Sequence, residues 1–161
     1  MYKFRQWSVT HSRKLESLYR NFEPVLIRLH PLFKAIGYGR MEKPVRVVEK
    51  AVKSLMFDCQ MCGKCALSST GMSCPMNCPK SIRNGPCGGV RMDGRCEVKP
   101  EMRCVWVEAW RGSQQMRQSD KIFVIQQPVN YSYRNTSSWL RVVQDFVTNR
   151  KQKVADVRME R

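Results

Sequence analysis

Residues Cys59–Cys104 read CQMCGKCALSSTGMSCPMNCPKSIRNGPCGGVRMDGRCEVKPEMRC and hold all eight cysteines of the chain. Their spacing, C-x2-C-x2-C-x8-C-x3-C-x8-C-x8-C-x7-C, is dense enough to bring the thiols together in any compact arrangement. Few apolar residues lie between them. This stretch therefore cannot rest on a large hydrophobic core and needs bonds at its sulfurs to hold its shape.

The compartment decides between disulfides and metal. Met1 to Thr10 mixes Lys3, Arg5 and Gln6 with aromatics and offers no continuous apolar core of a signal peptide. No run of about 18 apolar residues occurs, so no membrane span is expected. A cytoplasmic, reducing setting follows, in which clustered cysteines argue for metal ligation.

Thiolates are soft ligands and select zinc or iron-sulfur clusters. The candidate ligands are Cys59, Cys62, Cys65, Cys74, Cys78, Cys87, Cys96 and Cys104, enough for two complete four-sulfur sites. The opening C-x2-C-x2-C is similar to the run that binds one cubane in bacterial ferredoxins, and Cys78-Pro79 supplies a further cysteine followed by proline. Gly63, Gly71, Gly85, Gly88 and Gly89 would let backbone N–H groups turn toward sulfur. One or two [4Fe–4S] clusters are the reading this pattern favours. Zinc is the rival, because Cys59-x2-Cys62 with Cys74-x3-Cys78 is an acceptable structural zinc spacing, although the third cysteine at Cys65 is then superfluous. A mixture of the two, or a metal-free set of redox thiols, is the remaining alternative.

The two histidines, His11 and His30, lie far from the thiols in sequence and are expected at surface or core positions. Asp58, Asp93, Glu97 and Glu101 are expected at solvated turns and caps. No histidine adjoins a cysteine to activate it, and Gly85 to Gly89 lacks the lysine and helix of a phosphate-binding loop. No catalytic site is read in this chain.

With 29 basic and 13 acidic residues, the formal charge of +16 sets up a positive field suited to an acidic protein or a small anion. A basic zinc module on nucleic acid is the lesser alternative, since the charge is spread along the chain without interleaved aromatics.

Outside the cysteines the pattern is helical. Leu15, Leu18, Tyr19, Phe22, Leu26, Leu29, Leu32 and Phe33 recur at steps of three and four, interrupted by Pro24 and Pro31, which predicts a kinked helix or two short ones ending near Gly37-Tyr38-Gly39. The exposed apolar face of residues 11–36 is expected against the cysteine module or a partner chain. Pro44 is expected to open a second helix with Val45, Val48, Ala51, Val52 and Leu55 on one side and Arg46, Glu49, Lys50 and Lys53 on the other. Asp93-Gly94 predicts a tight β-hairpin carrying Cys96 on its second strand. Pro100 is expected to start a helix that presents Cys104, Val107 and Trp110. Residues 112–136 read as an extended arm with a strand-like run at Ile122 to Ile125. Ser137 or Ser138 caps a final helix through Trp139, Leu140, Val143, Phe146 and Val147, and the basic tail after Thr148 is expected to fray. The expected fold is a small irregular α+β one: a cysteine-rich metal-binding module with a short β-hairpin and flanking amphipathic helices. Its divisions are an N-terminal helical extension (1–56), the module (57–111), and an arm, final helix and tail (112–161).

The words of the module carry a resemblance. Cys-Gly-x-Cys at Cys62 to Cys65, Thr70-Gly71, Cys-Pro-Met at Cys74 to Met76, Cys-Pro-Lys at Cys78 to Lys80, Asn-Gly-Pro-Cys-Gly-Gly at Asn84 to Gly89, Cys-Glu-Val at Cys96 to Val98 and Cys-Val-Trp at Cys104 to Trp106 together resemble the cysteine-rich C-terminal domain of methylenetetrahydrofolate reductases. In its stand-alone, small-subunit form that domain implies an accessory subunit in one-carbon metabolism, passing electrons through iron-sulfur clusters to a flavin-containing reductase subunit, with another electron carrier as a further expected partner. The three-residue gap between Cys74 and Cys78 departs from the four residues found in many fused members and bears on ligand geometry. The reductase barrel itself needs about 250 residues, more than this chain contains.

Overall fold

The computed structural model describes residues 2–85 and 87–159. The helices are α1 (Tyr2–Thr10), α2 (Ser12–Arg28), α3 (His30–Ile36), α4 (Tyr38–Phe57), α5 (Val105–Ser113) and α6 (Ser138–Met159), with single 3-10 turns at Leu67–Ser69, Pro75–Asn77, Ser119–Phe123 and Tyr131–Tyr133. The expected break between α2 and α3 falls at Leu29. Pro31 cannot donate to the carbonyl four residues back, so the helix restarts with Pro31 in its first turn. Gly37, at φ +96°, then swings the chain into α4, which begins at Tyr38 and carries Pro44 inside it. The proline is thus not the opening residue that the sequence suggested.

The α+β expectation is corrected: among the described residues there is no strand and no hairpin. Asp93-Gly94 does form a tight turn, with the Gly94 N–H donating to the Arg91 carbonyl at 2.8 Å and Gly94 at φ +76°. Pairing stops at isolated antiparallel bridges, Val90 with Cys96 and Arg95 with Arg103. Past the turn, the Cys96 N–H is taken by the Met102 carbonyl at 3.0 Å. Residues 91, 92 and 93 are exposed, so the ribbon has no apolar face to bury, and a two-stranded ribbon without one does not stand in water.

Two apolar clusters hold the helices. Leu15 of α2, Phe57 of α4, Leu67, Met72 and Met116 form one, with Met56, Cys65 and Cys74 against it. The α2 face therefore packs on the cysteine module itself. Leu26, Phe33, Leu140 and Val143 form the other, closed by Phe22, Tyr38, Met41, Val45 and Trp139. Buried hydrogen bonds tie the same elements: Ser12 Oγ donates to the Gly112 carbonyl at 2.8 Å, and Glu16 accepts the Arg117 and Gln118 N–H groups at 2.7 and 3.2 Å. At Gly71, φ +58°, the chain runs so close to α5 that a Cβ would stand 2.2 Å from the Ala109 carbonyl oxygen.

Helix α5 starts at Val105, later than Pro100, and Cys104 is its N-terminal flanking residue in extended conformation. The strand-like run at Ile122 to Ile125 is partly taken up by a 3-10 turn. The Ser137 cap is present, its Oγ accepting the Leu140 N–H at 3.3 Å. Helix α6 then continues through the tail to Met159, beyond the fraying point expected at Thr148.

Candidate metal centre

Helix α4 delivers the first thiol. Its last residues are closed by Asp58 in the left-handed conformation, by the Asp58 N–H donating to the Ser54 carbonyl, and by Asn77 Nδ2 donating to the Phe57 carbonyl at 2.9 Å. That last bond fastens the Cys74–Cys78 loop to the helix end just before Cys59. Gly63, at φ +76°, lies so close to Tyr133 that no side chain fits there. The returning arm thus lies on the first loop, with the Asn135 N–H on the Met61 carbonyl at 2.8 Å and Arg141 Nε on the Gly63 carbonyl at 3.2 Å.

Within this frame the eight thiols, all free, fall into one set of four and two pairs that adjoin through Ile82 and make up the second group. Cys59, Cys62, Cys65 and Cys74 line one cavity together with Glu49, Lys53, Met61, Met76 and Arg83. Cys78 and Cys96 pack with Met102 and Val105, while Cys104 and Cys87 gather around Trp106 and Ala109, and Ile82 touches both clusters. Lys80 binds the proton it carries more tightly, first through its hydrogen bond to Glu97 and further through the nearby sulfurs of Cys87 and Cys96. The two histidines contribute to neither group: His11 Nδ1 meets the Trp7 carbonyl oxygen at 2.9 Å and His30 Nδ1 the Tyr38 hydroxyl at 2.6 Å.

In the first group burial, with the neighbouring cysteines acting the same way, pushes the Cys59 thiol up to about 11 and the Cys74 thiol up to about 12. Such thiols keep their protons unless a cation replaces them. Backbone N–H groups point at sulfur from Met61 to Cys59 and from Gly89 to Cys87, each at 3.4 Å. Of the glycines expected to do this, Gly89 does.

Beside the four thiols stand charged side chains that the sequence reading placed on a solvated face or did not single out. Glu49 is 1% exposed and accepts from Lys53 Nζ at 2.7 Å, from the Ser137 hydroxyl at 2.6 Å and from the N–H groups of Ser138 and Trp139 at 3.2 and 3.3 Å. It thus caps α6 with a full negative charge. Lys53 also donates to Ser138 Oγ at 2.7 Å. Arg83, 8% exposed, donates from Nε to the Gln127 carbonyl at 2.9 Å and from Nη2 to the Lys64 carbonyl at 2.9 Å, while Nη1 lies 3.9 Å from Cys62 Sγ and 3.7 Å from Met76 Sδ. The Glu-x3-Lys pair of α4, facing a Ser-Ser helix cap, was the available signal for the first of these. The carboxylates near the cysteines sit as expected: Asp58 pairs with Arg5, Asp93 accepts the Arg95 N–H, and Glu97 pairs with Lys80.

Among the described residues no three Cys, His, Asp or Glu side chains are drawn together tightly enough to chelate one ion. The room between Cys59, Cys62, Cys65 and Cys74 is about 20 Å³, that of one water-sized body, so a larger group requires the loops to spread. In kind, four sulfurs beside a buried guanidinium fit an anionic thiolate-bound group, and there is no competing oxygen ligand because Glu49 is consumed by Lys53 and the α6 cap. The arrangement offers no general base beside a nucleophile.

A comparison with curated proteins and with solved structures finds no match. The family described as "Methylene-tetrahydrofolate reductase C terminal" matches residues 38–132, which contain every cysteine of both groups. That match covers more than half of the chain, and the protein therefore belongs to the methylene-tetrahydrofolate reductase C-terminal family.

Proposed function

We propose that this chain is a non-catalytic accessory subunit of a methylenetetrahydrofolate reductase that passes electrons to a flavin-containing partner. The observation that carries the reading is the gathering of four of the eight free thiols on the wall of a single cavity, with the other four in two clusters that share Ile82. Cys59, Cys62, Cys65 and Cys74 would hold one iron-sulfur cluster and Cys78, Cys87, Cys96 and Cys104 a second; when bound, such clusters supply one-electron transfer. Family membership supports the reductase context. The net charge of +16 and the apolar side chains left exposed on α2 and α3, among them Leu18, Val25 and Leu32, support a larger and more acidic partner. No helix among the described residues is long and apolar enough to cross a membrane.

The chain's own contribution is to exclude water and steady the sulfurs. Phe57, Leu67 and Met72 cover the first group on one side, and Trp106 covers Cys87 and Cys104 on the other. A structural zinc module that docks or stabilises the same partner is the second reading, favoured by the small room between the first four sulfurs. Iron, sulfide and zinc analysis of anaerobically purified protein, with an electron paramagnetic resonance spectrum after dithionite reduction, separates them. Iron and sulfide with a reduced-cluster signal are expected; stoichiometric zinc without iron refutes electron transfer.

A further inference from the structure

Of the three charged side chains that line the first four-cysteine cavity, two already neutralise one another. Glu49 and Lys53 form a buried ion pair and contribute no net charge to the cavity wall. The third, Arg83, is different. As a residue it is more than nine-tenths buried, and among the described residues no carboxylate pairs with it. Its firm acceptors are neutral: the Gln127 carbonyl through Nε and the Lys64 carbonyl through Nη2, both at 2.9 Å. What remains is Nη1, which is aimed into the cavity between two sulfurs, Cys62 Sγ at 3.9 Å and Met76 Sδ at 3.7 Å.

A guanidinium does not lose its proton in a protein, so a buried one has to find an anion or bear a heavy desolvation cost. Met76 cannot become an anion. Cys62 can. Four thiolates around a divalent ion or a four-iron cluster leave a net negative charge, and that charge would lie within reach of Nη1.

We propose that Arg83 is the fixed counter-cation of the Cys59/Cys62/Cys65/Cys74 site, donating through Nη1 to the Cys62 sulfur when that site holds its metal. The inference rests on the metal reading given above but not on the choice between iron and zinc. Arg83 is a positioning residue: it ligates nothing, and it acts by compensating the negative charge of the bound thiolates and holding the Cys62 sulfur in place. Because the same guanidinium holds the Gln127 and Lys64 carbonyls, it also fastens the returning arm and the Cys62–Cys65 loop to the site.

The test uses the full chain, purified anaerobically, as wild type and as Arg83→Met, Arg83→Gln and Arg83→Lys. Metal transfer to a chromogenic chelator is followed in time, with total metal measured before and after. Loss of a hydrogen-bond partner just outside the ligands typically costs about 10- to 100-fold in metal affinity, so the metal of one four-cysteine group should leave Arg83→Met about 10- to 100-fold faster. The other group releases at the wild-type rate. Glutamine can still donate to the two carbonyls but carries no charge, whereas lysine keeps the charge with poorer geometry. The order expected is therefore Lys closer to wild type and Gln close to Met. A wild-type release rate in Arg83→Met, or rescue by Gln equal to or better than by Lys, overturns the proposal and leaves Arg83 as a loop anchor. Wild-type protein that holds zinc alone refutes electron transfer while this ordering still decides the role of Arg83; wild-type protein that takes up no metal refutes both.

Discussion

Replacing Glu49 by alanine should be among the most damaging single substitutions in the chain, and its cost can be worked from its contacts. The carboxylate is 1% exposed and its partner Lys53 is 5% exposed. Removing it leaves an ammonium buried without its counter-charge, which costs about 3–5 kcal/mol. It also leaves the N–H groups of Ser138 and Trp139 without an acceptor at the start of α6, and the loss of a helix cap costs about 1 kcal/mol more. Against a total stability of about 5–15 kcal/mol this is a large fraction. Urea titration followed by far-ultraviolet circular dichroism should place Glu49→Ala about 4–6 kcal/mol below wild type. The corresponding fall in Tm is about 10–20 °C for a chain of this size. Glu49→Gln with Lys53→Met removes both charges and should recover at least about 2 kcal/mol of the loss, because a neutral pair bears no ionic desolvation cost. A cost below about 1 kcal/mol for Glu49→Ala, or a double variant no more stable than Glu49→Ala, would refute the buried-pair reasoning.

The pH dependence of the same pair follows from the directions of its shifts. Burial works to raise the Glu49 pKa, but Lys53 and the Ser137 and Ser138 donors outweigh it and hold the carboxyl below its ordinary 4.5. Its contribution is present above that value and is lost as pH falls through the lower folded one. Burial works to lower the Lys53 pKa, and Cys65, Glu49 and Cys59 outweigh it, raising the ammonium above its ordinary 10.5. That contribution is complete below 10.5 and is lost as pH rises through the higher folded value. The gap between wild type and Glu49→Ala should thus be flat from about pH 5 to 10 and narrow in acid, where a gap that widens contradicts the assignment.

Cysteine substitutions should sort into the two groups: Cys65→Ala should lower bound metal by one site's worth and leave the other, and Cys96→Ala should do the converse, as measured by metal per chain; loss of all metal from either alone would mean one shared site. Gly71→Ala should lower the unfolding free energy from the urea titration by about 1–3 kcal/mol, because a Cβ there meets the Ala109 carbonyl oxygen at 2.2 Å in a backbone at φ +58°, whereas Gly37→Ala meets nothing within 4 Å and costs about 1 kcal/mol for its φ alone. Leu140→Ala, at 2% exposure, should cost about 2–5 kcal/mol and Phe146→Ala, at 44%, under 1 kcal/mol, by the same titration; equal effects would contradict the seating of α6.

The helices of this chain were legible because their apolar positions repeat at the helical period. Leu15, Leu26 and Phe33, read as one apolar face, do meet the interior, though in two clusters. What the period could not reveal is what arrives from outside a helix. Glu49 and Lys53 occupy the polar side of α4 by any periodic count. They are buried because the Ser137-Ser138-Trp139 start of α6 is laid across them, 85 or more residues later in the chain. The Asp93-Gly94 turn was read correctly as a turn and wrongly as a hairpin. The dipeptide specifies a local reversal, while a ribbon also needs an apolar face, and residues 91, 92 and 93 all point to solvent. The cysteine spacing promised that the thiols would gather but carried no information on partition. That is set by Ile82 and Trp106 on one side and by Leu67 and Met72 on the other, apolar residues whose positions depend on α5 and α2. Arg83 illustrates the same limit from the opposite direction: amid 29 basic residues nothing in its type marks it, and only its burial between neutral acceptors and a cysteine sulfur distinguishes it. In a chain this basic, charge in the sequence says little about function, and charge without a partner in the interior says a good deal.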